Sequence, residues 1–296
     1  MYKYQHTILK FLTYSILLFL LNSAYAQENS GFIWEVKSSH NTLYLMGSIH
    51  FANPDFYPLR HEIETAFSKS DHLAVEVDIA NIDPIQTQSY LFRVGTYTGN
   101  ETIRDHIDAS TYKLLIQHLT TRNLPSELFI KYKPGMIIMS LTSLEIMNLG
   151  LSPNQGIDVH FLNRARGKKK IVELETLEQQ LDLLLNLDES GQMLRQTLAE
   201  FDDYPELMKS LTDIWQRGDA AQLDELLIKK PLREFPDSRP AFEKMFLQRN
   251  LKMAKKIEGF LHSNNNYFVV VGAGHLVGER SIVDLLQKAG FQIKQL

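Results

Sequence analysis

The chain has 296 residues, with 31 lysines and arginines against 35 aspartates and glutamates, ten histidines and no cysteine. A mildly acidic balance without a basic block excludes nucleic acid and anionic lipid as the main partner. Without cysteine there are no disulfides and no thiol catalysis, so the fold must be held by a core, which a domain of roughly 270 residues can supply by burying close to 75% of its unfolded surface.

Residues 1–26 have the layout of a secretory leader: Lys3 and Lys10, the apolar run Phe11 to Leu21, then Ala24-Tyr25-Ala26. The apolar run is about half the length of a membrane span, so cleavage near Ala26, an exported periplasmic or extracellular product and no stable membrane insertion are expected. Loss of the leader leaves 29 basic against 35 acidic residues and a net charge of −6. Positions 27–296 contain no long linker, repeat or low-complexity tract, which argues for one domain.

Gly31 to Lys37, the polar turn Ser38-Ser39-His40-Asn41 and Thr42 to Met46 read as a hairpin. It runs into the tetrad Gly47-Ser48-Ile49-His50. Leu59 to Lys69 has helical spacing, and the alternation of Leu73, Val75 and Val77 predicts a strand from His72 to Val77. Ser110 is a candidate cap for a helix holding Leu114, Leu115 and Leu119; Pro134 opens one to Leu149; Gly156 precedes another. Lys170 to Leu174 reads as a strand. Helices then dominate from Thr176 to Leu261, with breaks expected near Pro205, Gly218 and between Lys230-Pro231 and Arg239-Pro240. Tyr267 to Val271 is an apolar strand leading into a second tetrad, Gly272-Ala273-Gly274-His275, before a helix and a last strand from Phe291. The pattern is α/β: a mixed sheet with flanking helices and a large helical insertion.

The two tetrads, Tyr57-Pro58-Leu59, Glu76-Val77-Asp78, Gly156-Ile157-Asp158, Leu174-Glu175-Thr176 with Gln180-Leu181, Arg249-Asn250 and the closing Gly-x-x-His segment occur in an order that resembles the TraB/GumN family, which is related to the Tiki metalloproteases. The resemblance spans the mature chain. It implies a single α/β domain around a mixed sheet and a divalent-metal hydrolase acting on peptides.

The residues support that chemistry on their own terms. A strand ending in a glycine turn delivers the next side chain to the rim of the sheet, where open α/β folds build sites. His50 and His275 are so placed, and two imidazoles with one carboxylate form a standard catalytic metal arrangement. Glu76, at the end of its strand, is the candidate third ligand or general base. Manganese, cobalt and zinc all suit this set. Arg249 and Asn250 are candidates for holding a peptide or other small polar substrate, a guanidinium being able to grip a carboxylate or oxyanion. Taken singly, a Gly-x-x-His tetrad is a weak pattern, and a histidine after a strand is more often a hydrogen-bonded loop residue than a ligand. Asp158 and Glu175 read equally well as helix-opening charges. Gly47, Gly272 and Gly274 are expected to serve the backbone, by positive φ or close approach. His61-Glu62-Ile63-Glu64-Thr65 lacks the second histidine of a zinc-protease helix, and Trp34 and Trp215 read as core. The competing reading is a non-catalytic periplasmic accessory protein that binds a peptide or saccharide in the same pocket.

Overall fold

The computed structural model describes residues 32–188 and 190–296; the expected leader lies outside them. Six strands, β1 (Ile33–Lys37), β2 (Thr42–Ser48), β3 (His72–Val75), β4 (Lys170–Glu173), β5 (Tyr267–Gly272) and β6 (Gln292–Gln295), form one mixed sheet in the order β4-β3-β5-β2-β1-β6. Neighbouring strands from β4 to β2 are parallel, while β1 runs antiparallel to both β2 and β6.

The central strands β2 and β5 are covered on both faces, which is why Leu43-Tyr44-Leu45-Met46 and Tyr267-Phe268-Val269-Val270-Val271 are continuous apolar runs rather than alternating ones. The outer strands carry Lys170, Glu173, Gln292 and Lys294, polar residues that discourage further pairing at an edge. Helices His61–Lys69, Ile157–Ala165, Gln248–Leu261 and Ile282–Lys288 bury Phe67, Phe161, Ile257 and Leu286 against the sheet. Smaller clusters lie among the remaining helices. Leu115, Leu119, Ile137, Leu194 and Phe201 join Ala109–Thr121, Pro134–Asn148 and Gln192–Glu200, and Leu181 and Leu185 of Leu177–Leu185 pack with Met136.

The register positions the site. Met46, Val270, Val75 and Glu173 stand in one row across the four parallel strands, so His50, Gly272, Glu76 and Glu175 all follow at the same rim. β3 ends at Val75 rather than Val77, although Leu174 and Glu175 still donate to the Val75 and Glu76 carbonyls at 2.8 and 3.0 Å.

Some local expectations change. Asp108, not Ser110, caps Ala109–Thr121: its carboxylate accepts from the Ser110 and Thr111 N–H groups, while Ser110 already lies inside the first turn. The break expected between Lys230-Pro231 and Arg239-Pro240 occurs there, but after Pro231 rather than at it. A π-turn at Glu225–Lys229 links Ala220–Asp224 to Lys230–Glu234, and the Lys230 N–H donates to Glu225 five residues back, widening the coil just before the proline ring. The break falls at Phe235. A second π-turn, Glu243–Leu247, joins Arg239–Phe242 to Gln248–Leu261. Pro205 sits in the first turn of Tyr204–Arg217, and Gly218 ends that helix at φ 66°. Among the described residues, no helix is long and apolar enough to cross a membrane.

Candidate functional site

The first tetrad is fixed from three sides. The Trp215 indole donates to the Gly47 carbonyl at 2.8 Å, the Ile157 N–H donates to the Ile49 carbonyl at 3.0 Å, and Ala52 and Ser152 exchange backbone bonds. Tyr57 stacks on His160 at 4.6 Å and donates to the Gln155 carbonyl, holding the chain after His50 against the start of helix Ile157–Ala165. Gly156-Ile157-Asp158 thereby comes to lie beside His50, whose Nδ1 is 2.9 Å from Asp158 Oδ2. The buried Asp158 charge raises the His50 pKa to about 9, so the ring carries its proton at neutral pH when no cation lies beside it. Its side chain remains 56% exposed.

The second tetrad presents the opposite balance. His275 is 4% exposed, covered by the Phe246 ring at 5.3 Å. Burial pushes its pKa down to about 4, against the pull of Glu76 and with the help of Arg249, so it is neutral at physiological pH. Its Nδ1 is 2.6 Å from Asn250 Oδ1; because the Asn250 Nδ2 donates to the Arg280 carbonyl at 3.0 Å, the oxygen faces the ring and the ring nitrogen donates. Both imidazoles are therefore held at Nδ1 by an acceptor behind them, leaving Nε2 on the other side of each ring.

Glu76 lies where those sides meet. One carboxylate oxygen accepts from the Gly272 N–H at 2.6 Å and sits 3.8 Å from His275 Nε2; the other accepts from Arg249 at 2.6 Å and Gln180 at 2.8 Å. Burial alone would raise the Glu76 pKa, but His275, Arg249, His50 and the Gly272 N–H outweigh it and bring it down to about 2. A Cβ placed on Gly272 would meet Glu76 Oε1 at 3.4 Å, His275 Cδ2 at 3.6 Å and His50 Nε2 at 3.7 Å. The three side chains converge over this glycine.

Two of the tetrad glycines, Gly47 and Gly274, act through close approach. None of Gly47, Gly272 and Gly274 has positive φ; a Cβ on Gly47 would press Ala273 Cα at 3.1 Å, and one on Gly274 would meet Phe246 at 2.9 Å.

Arg249 and Asn250, expected at the substrate, are engaged with the protein. Arg249 pairs with Glu76 and with Glu175 and donates to the Met245 carbonyl; Asn250 is 2% exposed and braces His275. Asp158 and Glu175 do more than open helices: one holds His50, the other, with Gln180, completes the cluster around Arg249 and Glu76. Trp215 is buried as expected, yet it also lines the cavity above the site together with Phe246. No periodicity in the sequence singles out Phe246, since it lies on a π-turn.

Among the described residues, no three His, Cys, Asp or Glu side chains are gathered closely enough to hold a metal ion as they stand. In kind the donors do fit one: two imidazoles braced at Nδ1, one of them already neutral, beside an ionised carboxylate.

Fold and site together define a mixed-sheet α/β domain whose parallel strands bring two braced histidines and a glutamate to one rim cavity. The chain belongs to the TraB/PrgY/gumN family, whose model matches residues 32–295. The uncharacterized protein YbaP of Escherichia coli (strain K12) is 26% identical, the match covering 82% of this chain and 87% of YbaP. Metalloprotease TIKI2 of Xenopus tropicalis is 23% identical over 90% of this chain and 60% of its own length, and a metalloprotease TIKI homolog of Amphimedon queenslandica is 22% identical over 92% and 62%. The chain thus spans about three-fifths of the length of these metalloproteases. No solved structure shows a significant match.

Proposed function

We propose that the protein is an exported, metal-dependent hydrolase that cleaves peptide or related amide bonds. The observation that carries this reading is the convergence of His50, His275 and Glu76 over Gly272 with both imidazoles braced at Nδ1. The likeness to relatives named as metalloproteases supports it.

In this reading His50 Nε2, His275 Nε2 and Glu76 hold a divalent ion, which when bound supplies Lewis acidity and makes water more acidic. Asp158 and Asn250 fix the two rings and their tautomers. Glu76, ionised at neutral pH, is placed either to contribute to that binding or to accept a proton as general base, and the Arg249–Glu175 pair keeps its carboxylate oriented.

The test is metal analysis of the purified protein, followed by cleavage of a peptide library with and without chelator. Bound metal and cleavage that is lost with chelator and in His50→Ala support the enzyme. Bound metal with no library member cut at long times would leave a peptide-binding accessory protein, and no metal at all would remove the proposed chemistry.

A further inference from the structure

Above the His–Glu rim opens a cavity of about 420 Å³, within the size range of small-ligand sites. Its walls include Leu184, Met208, Leu211, Trp215, Leu227 and Met245, drawn from helices Leu177–Leu185 and Tyr204–Arg217 and from the two π-turns. The two π-turns each contribute to this lining, through Leu227 and Met245.

Away from the Nε2 sides of His50 and His275 at the rim, and the buried Ser48 hydroxyl aside, the polar side chains around this cavity have partners. Arg249 donates to Glu76, Glu175 and Met245; the Gln180 amide donates to Glu76 and Glu175; the Thr212 hydroxyl donates to the Met208 carbonyl; and the Trp215 indole is held by Gly47. A polar or charged substrate side chain entering here would lose water and find few unpaired groups, which is unfavourable. An apolar one would lose only water.

We infer that this cavity is a specificity pocket for one large apolar side chain, of the leucine, methionine or phenylalanine kind, flanking the amide to be cut. Cleavage of the flanking amide rests on the hydrolase reading; the binding preference does not.

Binding separates the two. In a series of acetylated, amidated Gly-X-Gly peptides whose X–Gly amide is reduced so that it cannot be hydrolysed, calorimetry and Trp215 fluorescence read affinity as X is varied. Leucine, methionine and phenylalanine are expected to bind at least about tenfold more tightly than serine, aspartate and lysine. Leu227→Asp is expected to erase that order, and Met208→Asp, on a different helix, provides the same reading if the first variant fails to fold. Equal affinity across X, no binding of any member to the wild type, or an order that survives both aspartate variants would overturn the inference. With ordinary amides, preferential binding without cleavage would sink the hydrolase reading and leave the pocket standing; cleavage indifferent to X would do the reverse.

Discussion

Asn250 and Asp158 occupy the Nδ1 side of the two imidazoles, and their removal should be felt through the rings rather than at the substrate. Asn250→Ala takes away the acceptor for His275 and the donor to Arg280; a loss of about 10–100-fold in metal affinity or activity is expected, read by metal titration and kcat/KM. Asp158→Asn keeps the shape but removes the charge that raises His50. The imidazolium loses its main support, so its pKa should drop from about 9 toward the ordinary histidine value, visible as an NMR titration of the metal-free protein. Glu76→Gln leaves Arg249 with Glu175 alone inside a largely buried cluster. Because the Gly272 N–H, Gln180 and Arg249 lose an ionised acceptor while Glu175 still pairs with the guanidinium, a stability loss of about 1–2 kcal/mol is expected in urea unfolding, together with loss of cleavage. Retained stability would mean that Glu175 alone satisfies the guanidinium.

Helix Pro134–Asn148 lies so close to Leu177–Leu185 that Gly135 faces its backbone: an added Cβ would meet Leu185 Cα at 2.9 Å and also crowd the Leu184 carbonyl. Backbone cannot rotate away as a side chain can, so Gly135→Ala must separate the helices. A destabilisation of about 1–3 kcal/mol is expected from this overpacking. Ile146 and Leu184 line the cavity from these two helices, so apolar peptide binding should weaken too; unchanged unfolding and binding would show that the pair is more compliant than its contacts imply. The central strands were legible because burial on both faces removes alternation and leaves apolar runs that end at glycine tetrads. That His50, Glu76 and His275 share a rim also followed from strand ends alone. Less was legible where partners come from distant segments. Asp158 looks like a helix-opening charge until the Ile157–Ile49 backbone bond places it beside His50. The π-turns have no local sequence signature, and Pro231, which ordinarily stops a helix, is accommodated by the turn before it.

The helices outside the sheet core form clusters of their own, and one of them contains an acid-sensitive group. His118 on Ala109–Thr121 is 6% exposed, stacks on Phe201 at 4.4 Å and leaves Nε2 without a partner. Burial, aided by Arg122 and opposed by Glu145 and Asp202, pushes its pKa down to about 4. In the unfolded chain the same ring titrates near 6.5, so between these values the unfolded state binds the extra proton. Stability attached to His118 is therefore complete above about pH 6.5 and falls as pH drops toward 4. Loss should begin where the proton must enter. Hydrogen exchange at pH 5 is expected to show Ala109–Thr121 and Gln192–Glu200, which bury Leu115, Leu119, Leu194 and Leu198 together, opening before β2 and β5. His118→Leu should remove most of this pH dependence while keeping the packing against Phe201. Equal acid sensitivity in that variant, or simultaneous opening of the sheet, would place the weakness elsewhere. The sheet holding the two tetrads is thus expected to outlast these two helices in acid.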